Sequence, residues 1–102
     1  MTNEAIIQFN YTRAINQARK LEQLADELKS LANSNLESTL SNLSSNWKGE
    51  SAEAFIAKAQ KAKDDMLKNA NQLYNTASVV RNSAKNIRDA ELHALSIAEE
   101  RL

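Results

Sequence analysis

Three residue types that set the architecture of many small proteins are missing or nearly so: the 102-residue chain has no cysteine, no proline and one glycine, Gly49. Without cysteine there are no disulfides, thiolate metal sites or thiol nucleophiles. Without proline or further glycines it cannot make the many tight turns of a sandwich or barrel, and Val79 and Val80 are its only valines. All-β architectures are excluded. The aromatics number five, so the core must be aliphatic and alanine-rich. Thirteen basic residues balance thirteen acidic ones, which removes the electrostatic pull toward nucleic acid or anionic lipid. The longest apolar run, Ala54-Phe55-Ile56-Ala57, is far short of the roughly 20 residues of a membrane span, and stable membrane insertion is not expected. The start, Met1-Thr2-Asn3-Glu4-Ala5, has neither a basic nor a hydrophobic signal region, so export is expected to use a route other than the general secretory one.

Chemistry is equally sparse. His93 is the only imidazole and has no thiol to work with, so no metal site, cofactor or catalytic constellation is expected and the chain reads as a non-enzyme. Asp64, Asp65, Glu99 and Glu100 read as solvated charges on helix faces. Lys58, Lys61, Lys63 and Lys68 form the densest basic patch, but Asp64 and Asp65 interrupt it and no aromatic is interleaved for base stacking.

What remains is helical periodicity. In the first half, Ile7, Tyr11, Ala14, Ala18, Leu21, Ala25, Leu28, Ala32, Leu36, Leu40, Leu43 and Trp47 recur at steps of three or four. Ile15, Leu24 and Leu31 widen this stripe beyond what one partner helix covers. The run Asn33-Ser34-Asn35 marks a candidate bend. The second half carries a heptad register through Ala52, Phe55, Ala59, Ala62, Met66, Asn69, Leu73, Thr76, Val80, Ser83, Ile87, Ala90, Ala94 and Ile97. Its three polar members are each followed by an alanine, at 70, 77 and 84, and small residues there permit close helix approach.

Gly49 can adopt the left-handed conformation that ends a helix, and Glu50, Ser51 and Glu53 suit the start of the next. The expected fold is therefore all-α: one helical hairpin with helix 1 about 5–46, a Trp-x-Gly turn at 47–49 and helix 2 about 50–100. The rods would measure roughly 60 and 75 Å at about 1.5 Å per residue and lie antiparallel, with Ile7 near Asp89 and everything beyond about Glu91 overhanging. A lone hairpin leaves wide apolar faces uncovered, so dimerisation into a four-helix bundle is expected. The candidate interface residues are Leu21, Leu24, Leu28, Leu31, Phe55, Met66, Leu73, Val80, Ile87, Leu92 and Leu95. Trp47, at the hairpin tip, reads equally as a hydrophobic plug at the end of the bundle or, with Gly49, as a recognition residue, and the two roles are compatible.

The stretch Asn46-Trp47-Lys48-Gly49-Glu50-Ser51-Ala52-Glu53-Ala54-Phe55 resembles the signature of the WXG-one-hundred family, the ESAT-like small substrates of type VII secretion. The resemblance covers essentially the whole chain, and Trp47, Gly49 and Phe55 match the family's turn motif and the apolar residue early in its second helix. It implies a helical hairpin that pairs as a homo- or heterodimer and leaves a Gram-positive or mycobacterial cell folded, through a membrane ATPase, passing from the cytoplasm to the exterior or cell surface. Many members, or their partners, also carry Tyr or Phe followed four residues later by Asp or Glu as an export signal. Here Phe9, Tyr11, Phe55 and Tyr74 are followed at that distance by Arg13, Ile15, Ala59 and Ser78. The expectation is therefore a substrate or a signal-less partner or adaptor of another helical protein, such as the N-terminal domain of an LXG-type toxin. A self-associating secreted homodimer is the alternative.

Overall fold

The computed structural model describes residues 2–101. Its elements are α1 (Asn3–Ser30), a π-helical segment (Leu31–Leu36), α2 (Glu37–Asn46) and α3 (Glu50–Glu100), with no strand among the described residues. The fold is an all-helical hairpin. The Thr2 hydroxyl accepts a hydrogen bond from the Ala5 N–H at 3.1 Å, capping α1, and Glu4 favours the positive end of the helix dipole. At the far end of the rod, the Trp47 N–H closes the last turn on the Leu43 carbonyl at 2.8 Å, and the chain then leaves through an extended Trp47 (φ −121°, ψ 122°). Gly49, at φ +111°, belongs to the start of α3 more than to the end of α2: its carbonyl accepts the Glu53 N–H at 3.0 Å. Glu50 and Glu53 occupy the first turn, where the helix dipole favours acidic side chains. The Asn/Ser run that marks the candidate bend lies in the π-helical segment, where the helix continues with a wider turn.

The chain divides into two compact units. In the first, Met1–Glu22 and Asn75–Leu102 come together. Its buried residues are Ile7, Ala18, Ala77 and Ala84. The Arg88 guanidinium stacks over the Tyr11 ring at 4.2 Å, and Arg81 forms a fork on Glu22, Nη2 to Oε1 at 2.5 Å and Nε to Oε2 at 3.2 Å. The second unit, Gln23–Tyr74, contains the turn. Ala25, Ala32, Leu40, Ala52 and Ala70 are buried there. The Tyr74 hydroxyl donates to the Asp26 carboxylate, and Lys63 pairs with Glu37 at 2.5 Å.

Alanine dominates the buried set in both units, and no large side chain is fully buried among the described residues. Ala18, Ala25 and Ala32 recur every seven residues on one rod, and Ala70, Ala77 and Ala84 do so on the other. A methyl group at each such position lets antiparallel helices approach near the lower end of the usual range of about 8–10 Å. Two sequence expectations need correction. The inward face of α3 runs through Ala70, Ala77 and Ala84, not through Asn69, Thr76 and Ser83, which are exposed; the smaller side chain lies inward and the polar neighbour stays in water. Nor does the end of α3 overhang from Glu91. Ala94 and Leu95 share a groove with Asn3, Ile6 and Ile7, and both Leu92 and Leu95 are half-buried. Because α1 begins at Asn3, this part of α3 has a helix beside it.

Candidate recognition turn and interaction face

The turn is built on backbone geometry. With Trp47 extended and Gly49 in the left-handed region, α2 ends and α3 begins within three residues. Trp47 therefore emerges at the tip and meets Phe55 in the second turn of α3, with ring centroids 5.7 Å apart and planes tilted by 52°, a favoured aromatic geometry. Both rings stay accessible, Trp47 at 41% and Phe55 at 51%. The Lys48 ammonium folds back on the Ser44 carbonyl at 2.9 Å, covering a carbonyl of the last turn of α2 with positive charge. A methyl group added at Gly49 meets nothing within 4 Å, so glycine is needed there for its φ angle alone.

The remaining candidate residues separate by exposure. Leu24 (52%) and Leu31 (47%) face outward in the second unit, with Leu28 half-buried on the same face. Leu31, Leu36 and Met66 line an open groove of about 310 Å³, rimmed by Asn35 and Thr39. Leu73 is half-buried. In the first unit Ile87 is exposed and lines a groove of about 170 Å³ with Ile7, Tyr11, Ala14 and Ala84, whereas Leu21 and Val80 are half-buried. Sequence periodicity missed Ile6, Phe9 and Val79, which are exposed, as is Ile97 of the heptad register. Their signal was the alanine heptad. Once Ala70, Ala77 and Ala84 are taken as the inward register, Val79 turns outward.

Some of the charges form ion pairs. Glu22 pushes the Arg81 guanidinium above its ordinary value, first through the side-chain hydrogen bond, against a smaller opposing effect of desolvation. Two lysines of the basic patch are engaged, Lys63 by Glu37 and Lys61 by Asp65 at 3.3 Å. His93 is exposed, and among the described residues no three His, Asp or Glu side chains converge as a metal site. No helix among the described residues is long and apolar enough to cross a membrane. The geometry leaves a set of large apolar side chains, Leu24, Leu31, Val79 and Ile87 among them, on the surface.

A family model, proteins of 100 residues with WXG, matches residues 6–92. No curated protein and no solved structure matches the chain. The matched span contains the turn, the π-helical segment and most of both rods, and the chain belongs to the WXG100 family, which makes it a small helical protein associated with type VII secretion.

Proposed function

We propose that this chain is a partner or adaptor in type VII secretion. It pairs with another helical protein, such as the N-terminal domain of an LXG-type effector, to complete a four-helix bundle. The Trp47-Lys48-Gly49 tip then becomes part of a composite signal read by the secretion ATPase of a Gram-positive cell. The observation that supports this reading is the distribution of apolar side chains. The seam within the hairpin is filled by alanine, while Leu24, Leu31, Val79, Ile87 and others remain exposed. Fully burying a side chain of that size stabilises by roughly 1.5–3 kcal/mol, so a second pair of helices laid on these residues has a substantial driving force. The absence of a Tyr or Phe followed four residues on by Asp or Glu within these 102 residues favours a different protein over a second copy as the partner.

Co-expression with the product of an adjacent gene tests it. A soluble one-to-one complex whose effector leaves the cell with the native chain and is retained with Trp47→Ala supports the adaptor role. Export of the effector in the absence of this chain, or a chain that forms only a self-dimer, overturns it.

A further inference from the structure

We infer that the π-helical segment Leu31–Leu36 is a phase corrector that rotates the end of the first rod so that Trp47 comes onto Phe55. Up to Ala32 the inward positions follow steps of three and four: Ala25, Leu28, Ala32. Continued without interruption, that rhythm brings Asn35, Thr39, Asn42 and Asn46 inward next, all of them polar. In the structure all four are exposed, and Leu36, Leu40 and Leu43 take the inward places, Leu40 at only 4% exposure. The step from Ala32 to Leu36 and again to Leu40 is four residues, one more than the rhythm allows. A π turn takes up an added residue inside a helix without breaking it, and it occurs where that residue has to go. The wider turn is supported by the Thr39 hydroxyl, which donates to the Asn35 carbonyl at 2.9 Å. Downstream, Trp47 inherits the corrected phase through its N–H bond to the Leu43 carbonyl.

The inference stands on the geometry of Gln23–Tyr74 and does not depend on the secretion role, so its test is made on the chain alone. In an uninterrupted α-helix, deleting or inserting one residue is equally disruptive, because either rotates everything beyond it by about 100°. A phase corrector is asymmetric. Deleting the exposed Ser34 should return the segment to an ordinary α-helix with Leu36, Leu40 and Leu43 still inward and Trp47 still beside Phe55, leaving the thermal midpoint and the emission of the single tryptophan close to those of the native chain. Inserting an alanine after Ser34 should red-shift Trp47 emission and lower the midpoint, and deleting Ser38 from that insertion variant should rescue both. If the deletion disturbs Trp47 as much as the insertion does, or if the insertion is harmless, the inference is wrong.

Discussion

Replacing Ala77 with Leu puts an isobutyl group where the structure has a methyl group with no solvent exposure. Leu and Ala are both strong helix formers, so intrinsic propensity barely changes. The effect is therefore one of space. In a seam of alanines the added carbons find no cavity, and the helices must separate or the side chain must leave its preferred rotamer; such overpacking destabilises by about 1–3 kcal/mol. For a domain of this size the thermal midpoint should fall by about 5–20 °C. The comparison variant is Ala54→Leu, at an exposed position of the same helix, where the change should stay within about 0.5 kcal/mol. Thermal melts followed by far-ultraviolet circular dichroism, at one protein concentration so that association contributes equally, read both. Equal midpoints for the two variants would refute the claim that alanine sets the helix spacing.

Gly49→Ala should destabilise by roughly 1–2 kcal/mol, the left-handed strain of a Cβ at φ +111°, since there is space for the methyl group itself; urea melts of the two chains measure it. Trp47→Ala should leave helix content intact and lower stability by no more than the roughly 0.5–1.5 kcal/mol of its pairing with Phe55 beyond simple burial, plus the area that ring covers; circular dichroism checks the first, and a secretion assay checks whether recognition is lost. Leu24→Lys combined with Leu31→Lys should leave the isolated chain folded, because both side chains are about half exposed, yet weaken partner binding at least tenfold, measured by titration calorimetry. A double variant that binds as the native chain does would place the interface elsewhere.

How far the sequence predicted these features depends on what each one rests upon. Steps of three and four between Ile7 and Ile97 identify helices because burial of one face requires that period. The turn was equally visible, since Gly49 is the only residue free of the Cβ penalty. The inward register of α3 was ambiguous: Asn69 and Ala70, Thr76 and Ala77, Ser83 and Ala84 are adjacent pairs about 100° apart on a helix, and only packing decides that alanine goes inward. The ion pairs Glu22 with Arg81 and Glu37 with Lys63 depend on tertiary register and left no local signature. The π-helical segment had one: the successive steps of four from Leu28 through Ala32 and Leu36 to Leu40. Asn33-Ser34-Asn35, the candidate bend, lies within that segment. Exposure of Leu24 and Leu31 follows from the width of the stripe, while that of Ile6, Phe9 and Val79 emerges only once the alanine seam is known.

The mass of the purified chain in solution bears most directly on the central claim, that a seam of alanine turns the larger aliphatics outward for a second helical protein. Light scattering coupled to size exclusion should give a chain that self-associates or is polydisperse when alone, and a single species of one copy each once the adjacent gene product is added. A monodisperse monomer whose mass is unchanged by that protein would contradict the account.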